Sequence, residues 1–346
     1  MARRDVVVVG ASAGGVEALR QLAGGLPADF PATVVVVLHV PSTGTSALPR
    51  ILDRAGPLPA RHAVEGDRLR HGQILVAAPD QHLIVYDDAV TLSRGPRENG
   101  HRPAVDVLFR SAAAALGPRV VAVVLSGALD DGAAGMVAVK SRGGVGICQD
   151  PGEALHESMP SAAMQAVEVD RVVPAAMIPA LLSRIVLEEV TDVPTPPPDR
   201  MRNEALVAEF DLEAIDNGGD RPGMPSDYTC PDCQGPLYEI VESGLLRFRC
   251  RVGHAWSVAS LAAQQTATLQ GALWMALRSL EEKATLTRRL GQQAVSQGRP
   301  LTSEALGAET DDVLRAAATL RDLIDQITAH GTVTGQEGGS RREREN

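Results

Sequence analysis

Ser12 stands in the run Gly10-Ala11-Ser12-Ala13-Gly14-Gly15, directly after the valines at 6–9 and before apolar residues at helical spacing over 16–22. A strand, a tight turn and a helix in that order set the serine hydroxyl at the tip of the turn. The amides that follow, at Ala13 and Gly14, point toward one spot at a helix N-terminus and can stabilise an oxyanion. Small residues on both sides allow a sharp turn and a close approach by a carbonyl group. A serine hydroxyl is inert without a base, so the rest of the chain must supply one.

Two other readings of this loop compete. A dinucleotide-binding loop needs Gly where Ser12 stands and an acidic residue ending the second strand, where His39 stands. A hydrolase nucleophile elbow fits Gly10-x-Ser12-x-Gly14, but there several strands precede the serine and here only one does. His39 follows the apolar run at 34–38 and precedes a Val-Pro pair. That is the carboxyl edge where doubly wound sheets gather their sites, and it suits a general base. His62, His71, His82, His101 and His156 carry no such placement and read as surface or structural histidines. The third element is Leu125-Ser126-Gly127-Ala128-Leu129-Asp130-Asp131-Gly132, again after a valine run. A carboxylate there can orient an imidazole and balance its charge. The plain alternative is that Asp130 or Asp131 caps the helix starting near Gly132. Three catalytic residue types at three strand ends favour a triad of Ser12, His39 and Asp131.

The elements that would position these residues are legible as β-branched runs at 6–9, 33–38, 74–77 and 120–125, with helical spacing at 16–22 and 105–116. Their alternation predicts an α/β fold with a doubly wound, mainly parallel sheet. Residues 82–92 read as a hairpin turning at Asp87-Asp88. Formal net charge is −10, with 17 basic and 20 acidic residues up to 190 and 16 and 23 beyond. Neither part is basic, which argues against nucleic acid or an anionic membrane surface as partner. There is no apolar run of membrane-spanning length, and the default location is the cytoplasm.

With these residues in place, positions 5–190 resemble the catalytic domain of the bacterial chemotaxis protein-glutamate methylesterases. The segments that carry the resemblance are Gly10–Gly15, Leu38-His-Val-Pro41, Glu65-Gly-Asp-Arg-Leu69, Ala77-Ala-Pro-Asp80, His101-Arg-Pro-Ala-Val-Asp-Val-Leu-Phe109, Leu125-Ser-Gly127 with Asp131-Gly-Ala-Ala-Gly-Met136, and Gln149-Asp-Pro-Gly-Glu-Ala154 with Met159-Pro160. The resemblance implies Ser12 as nucleophile, His39 as base and Asp131, the Asp directly before Gly, as orienting acid. It implies hydrolysis of glutamyl methyl esters on chemoreceptor-type proteins with no cofactor for catalysis, and deamidation of glutamines on the same substrate. Ala13 and Ala128 stand where the family usually has Thr and Met, so the oxyanion and substrate pocket at Ala13, Gly14 and Ala128 departs from the pattern. Typical members carry a receiver domain, for which there is no room before residue 6; a separate receiver protein is then a candidate partner.

Beyond 190 the composition changes. The domain plan read here is catalytic over 1–190, a Pro-rich linker over 191–226, a zinc-ribbon-like unit over 227–258, a helical hairpin over 259–330 and a disordered tail over 331–346. Cys230, Cys233, Cys250 and His254 form a C-x2-C and a C-x3-H pair, a donor set suited to a closed, structural tetrahedral zinc site. Unliganded thiols in a small ribbon are the alternative. Leu269, Leu273, Leu277, Leu280 and Ala284, then Val313, Ala317, Leu320, Ile324 and Ile327, recur at helical spacing around a loop expected at 291–300. The rival to an enzyme is a non-catalytic signalling scaffold that keeps the esterase fold only to bind partners.

Overall fold

The computed structural model describes residues 2–190, 196–209 and 223–333. It divides into two compact units, Met1–Ala262 and a second from Ala263 onward. In the first unit the strands are β1 (Ala2–Arg3), β2 (Val6–Ala11), β3 (Thr33–Leu38), β4 (Ala60–His62), β5 (Gln73–Val76), β6 (His82–Tyr86), β7 (Ala89–Ser93), β8 (Val120–Val124), β9 (Val145–Gln149), β10 (Arg171–Val173) and β11 (Glu189–Val190). The helices between them are α1 (Gly15–Gly25), α2 (Leu48–Ala55), α3 (Val105–Leu116), α4 (Ala133–Ser141), α5 (Ser158–Ala166) and α6 (Ile178–Ile185).

Seven strands form one parallel sheet in the order β10-β9-β8-β2-β3-β5-β4. The valine runs explain why it is parallel and central. Val7 and Val9 of β2 pack with Leu19 and Leu22 of α1 and Ile178 and Leu182 of α6, while Val6 and Val8 pack with Leu108 and Phe109 of α3. Both faces are covered, so both sets of alternate residues must be apolar. The order reverses at β2, which lies between β8 and β3, so the chain leaves the sheet in opposite directions there. This is where a doubly wound sheet opens a crevice at its carboxyl edge. β6 and β7 form an antiparallel pair that turns at Asp87 and Asp88, as their sequence predicts.

Residues 227–258, expected as a separate unit, lie in the same compact unit as the sheet. They form most of a four-stranded antiparallel sheet, β12 (Met224–Thr229), β13 (Pro236–Glu242), β14 (Leu245–Cys250) and β15 (Ala255–Ser257), in chain order. The expected linker contains a helix, α7 (Asp199–Ala208), and its segments 191–195 and 210–222 lie outside the described residues. α7 is held by a buried ion cluster. Glu98 takes hydrogen bonds from Arg110 of α3 at 2.6 Å and Arg249 of β14 at 2.9 Å. Glu204 of α7 is paired with Arg110 at 3.1 Å and Arg247 at 3.1 Å. Three guanidinium groups and two carboxylates therefore link the parallel sheet's helix, α7 and the antiparallel sheet.

The second unit holds two long helices, Val258–Ser296 (whose first turn belongs to the first unit) and Pro300–Val333. Leu273, Leu277 and Leu280 meet Ala317, Leu320 and Ile324. The turn falls after Ser296, later than the loop expected from Gly291. Gly291 lies inside the helix, where a Cβ would sit 3.6 Å from Leu306 Cβ of the other helix, so it serves close packing rather than chain reversal. The second helix runs to Val333, three residues into the stretch expected to be disordered; 334–346 lie outside the described residues.

Candidate active site and metal-binding group

Ser12 follows β2 at its carboxyl end, beside the ends of β3 and β8. Its amide donates to Ser126 O at 3.0 Å, and its carbonyl accepts from Gly15 N at 2.9 Å to close the turn. Gly14 takes φ +73°, a left-handed conformation that favours glycine. Ser126 Oγ donates to Ala13 O at 2.8 Å, tying the turn to the loop after β8. Among the described residues, nothing accepts a hydrogen bond from the amides of Ala13 or Gly14. Gly127 presses against the serine: a Cβ there would lie 2.9 Å from Ser12 Cβ and 2.0 Å from Met159 Sδ. Ala128 is the next residue and is exposed.

His39 leaves β3 with its amide bonded to Ala11 O, and its imidazole Nε2 pairs with Asp131 Oδ2 at 2.7 Å. The other nitrogen, Nδ1, is buried and without a hydrogen-bond partner, which makes it the nitrogen free to take a proton. Asp130 faces elsewhere and accepts from Ser257 Oγ at 2.7 Å. His101, set aside on sequence grounds, stacks on His39 with ring centroids 3.6 Å apart. Burial first, and the neighbouring His39 second, lower His101 to about 4. It therefore lies over His39 as a neutral ring and restricts how that ring can turn.

Asp131 is 1% exposed and accepts four hydrogen bonds. Oδ2 receives Val105 N at 2.7 Å besides His39, and Oδ1 receives Asp106 N at 3.0 Å and Asn99 Nδ2 at 3.1 Å. Burial alone would raise its pKa, but the hydrogen bond and charge of His39 outweigh burial and hold the carboxylate well below its usual range. Asp106 shows the opposite direction. Burial and the adjacent Asp131 push it well above the ordinary value, although Gly132 N and Gly135 N both donate to its Oδ1. The two buried carboxyls are thus shifted in opposite directions, and the one held low faces the imidazole. Asp106, at the start of α3, and Asn99, before a glycine, carry no signal of this role beyond helix-start and turn propensity.

Cys230, Cys233, Cys250 and His254 come together with all their ligand atoms within 4.8 Å of one another. Cys250 Sγ lies 3.6 Å from both Cys233 Sγ and His254 Nδ1. Those spacings suit four donors around one tetrahedral ion, so this group could bind a metal. The Trp256 ring nitrogen is buried without a hydrogen-bond partner. The hydrogen bond with Cys250 outweighs burial and, with His254, lowers Cys230 below the usual thiol range. Cys148 is buried alone in β9 and pushed up to about 12 by burial, an inert thiol.

The model of the CheB methylesterase family matches residues 7–182, just over half of the chain. The chain belongs to that family. A protein-glutamate methylesterase/protein-glutamine glutaminase of Methanosarcina mazei is 39% identical over 179 residues, covering 49% of this chain and 49% of its own length. One from Anaeromyxobacter dehalogenans is 40% identical over 184 residues, covering 53% and 54%. The chain thus spans about half the length of these CheB relatives. The crystal structure of the Thermotoga maritima CheB methylesterase catalytic domain matches with a TM-score of 0.51 and 33% identity, over 54% of this chain and all of that one. The CheB match ends before the antiparallel sheet and the long helices. Among the described residues, no helix is long and apolar enough to cross a membrane.

Proposed function

We propose that this CheB-family chain hydrolyses glutamyl methyl esters, and deamidates glutamines, on chemoreceptor-type signalling proteins. The observation that carries the reading is the buried 2.7 Å pair of His39 and Asp131, whose free Nδ1 lies at the sheet edge that also carries the Ser12 turn. In this mechanism Ser12 Oγ attacks the ester carbonyl while its proton passes to His39 Nδ1. Asp131 keeps the other ring proton on Nε2 and balances the imidazolium. The amides of Ala13 and Gly14 receive the oxyanion, in place of side chains at Ala13 and Ala128. Collapse expels the methoxy group, which leaves as methanol with the proton from His39. Water then gives a proton to His39 and its oxygen to the acyl-serine, releasing the glutamate carboxylate and restoring Ser12. For glutamine the leaving group is ammonia. The names of the M. mazei and A. dehalogenans relatives support both reactions.

In this proposal the esterase chemistry belongs to residues 1–190, in the cytoplasm, with a methylated receptor as substrate, a separate receiver protein as a further partner and no role for nucleic acid. The Cys3His group of the ribbon-like unit would hold zinc as a structural ion. Its thiolates and imidazole give the ion a closed shell, so the metal holds the fold and takes no part in the ester chemistry. The test is fluorophosphonate labelling of the full chain beside methanol release from methylated receptor. Wild type should label and release methanol, and Ser12→Ala should do neither. Full methanol release by Ser12→Ala ends the proposal.

A further inference from the structure

The antiparallel sheet reaches the catalytic acid through one side chain. Asn99 Nδ2 donates to Asp131 Oδ1 at 3.1 Å and to Asp106 Oδ2 at 3.0 Å. Its Oδ1 accepts from Ser257 N at 2.8 Å and from Ser260 Oγ at 3.0 Å. Ser260 Oγ receives Ser257 N at 2.9 Å, which leaves its own hydrogen for Asn99. The Ser257 hydroxyl donates to Asp130 at 2.7 Å. All these side chains are buried: Asn99 is 7% exposed, Ser257 8% and Ser260 2%. The backbone is joined at the same place, with Asn99 N donating to Ala255 O at 2.8 Å and Ala255 N to Arg97 O at 3.2 Å. His101, stacked on His39, sits two residues further along the same loop.

A carboxamide has a donor end and an acceptor end, and burial makes a mismatch at either end costly. Turned over, Asn99 would set its oxygen against two carboxyl groups and its NH2 against two donors. The donors at Ser257 and Ser260 therefore select the one orientation that delivers an N–H to Asp131. We infer that Asn99, Ser257 and Ser260 are positioning residues for the His39–Asp131 pair, so that the unit beyond the family domain braces the base of the esterase. This rests on the catalytic reading above for its effect on rate, though not for its effect on His39 itself.

The brace has a pH signature. The groups facing the pair are His101 stacked on the imidazole and Asp106 with the amides at the start of α3; Asp130, next in the chain, turns to Ser257 but lies close enough to feel the charge of Asp131, and His82 and Arg97 lie further out. With His39 neutral, the pair carries one negative charge; with His39 protonated, it carries none. The N–H dipole of Asn99 stabilises the negative form more, so its loss raises the pH at which the pair gives up its proton.

The test uses the full chain with 13C-labelled histidine, following His39 by NMR through pH together with the pH profile of kcat. Asn99→Ala should raise the His39 midpoint and lower kcat several-fold at neutral pH with KM unchanged. Ser260→Ala, which removes one hydroxyl, should shift the midpoint in the same direction by less, and it decides the matter if Asn99→Ala does not fold. Ser226→Ala removes a hydrogen bond to Leu237 O internal to the antiparallel sheet, and should lower the melting temperature with the midpoint unmoved. An unmoved midpoint in folded Asn99→Ala and Ser260→Ala overturns the brace. Hydrolysis surviving in Ser12→Ala would instead overturn the catalytic reading, while the His39 midpoint would still decide the brace.

Discussion

Replacing Asp131 by Asn keeps the size of the side chain and changes both its charge and its donors. All four neighbours of the carboxylate point hydrogens at it: Val105 N and His39 at Oδ2, Asp106 N and Asn99 at Oδ1. An amide can accept at one end only. With its oxygen toward Asp106 N and Asn99, its NH2 opposes Val105 N and turns His39 Nε2 into an acceptor. The ring proton then moves to Nδ1, the nitrogen that must be empty to receive the proton of Ser12. A triad carrying the wrong tautomer loses on the order of 10^3–10^4 in kcat, and that loss is expected here. Hydrogen bonds to a charged acceptor contribute about 1.5–3 kcal/mol each, and relief of the buried charge offsets part of the two that fail. The net loss of stability at pH 7 is about 2 kcal/mol. Because the folded chain holds Asp131 below the usual carboxylate range, its contribution is present in full above about pH 5. It shrinks as the pH falls below about 4, so the gap in melting temperature between wild type and Asp131→Asn should narrow on acidification. Methanol release and melting curves at pH 7 and pH 4 check both parts. A folded Asp131→Asn retaining more than about a tenth of wild-type kcat would refute the tautomer argument.

Gly127→Ala should fold with a loss of about 1–3 kcal/mol and reduced fluorophosphonate labelling, because the new methyl displaces Met159 and presses on Ser12; labelling at the wild-type rate counts against this packing. Asp130→Asn should leave kcat within a few-fold, since burial raises Asp130 and an amide oxygen can still accept from Ser257, as steady-state kinetics will check. Glu98→Gln should destabilise by about 3–5 kcal/mol, read as a fall in the denaturant midpoint, because Arg110 and Arg249 lose their buried charge partner. Burial opposes the ionised form of Glu98, but Arg110 and then Arg249 outweigh it and hold the group at about 2, so this stabilisation is present above about pH 4.5 and is lost as pH falls toward 2. Chelation should release about one equivalent of zinc and lower the melting temperature, and elemental analysis of purified protein finding no metal would reject the site.

The sheet was legible because its strands are buried on both faces and therefore written as unbroken valine runs. Residues 33–38 and 105–116 form β3 and α3 with the bounds their pattern predicts. Ser12 and His39 were legible for a related reason: each directly follows such a run, so its place at the sheet edge needs only the strand to be found. Domain organisation was harder to read. A proline-rich linker and a cysteine motif suggest separation, and nothing in their local pattern says that Arg247 and Arg249 will bury their charges against Glu204 and Glu98. Alternating Arg and hydrophobic residues on β14 look like a solvated strand face. Their partners lie about 40 and 150 positions away, beyond the reach of any periodicity.

The same distance separates what the family pattern implies from what this chain adds. Ser12, His39 and Asp131 lie within the 7–182 match, whereas Ser257 and Ser260 lie outside it. Asn99 is the point of exchange, because its two ends belong to different parts of the sequence. Its N–H faces Asp131 and its oxygen faces a serine turn some 160 residues on. A polar side chain satisfied at all its positions, in a buried site, transmits orientation because neither partner can move without stranding the other. The parallel sheet brings the His39–Asp131 pair together at the edge that carries Ser12, and the serines beyond the family domain fix which end of Asn99 the acid meets. On this proposal the orientation of His39 is set from outside the fold that carries it.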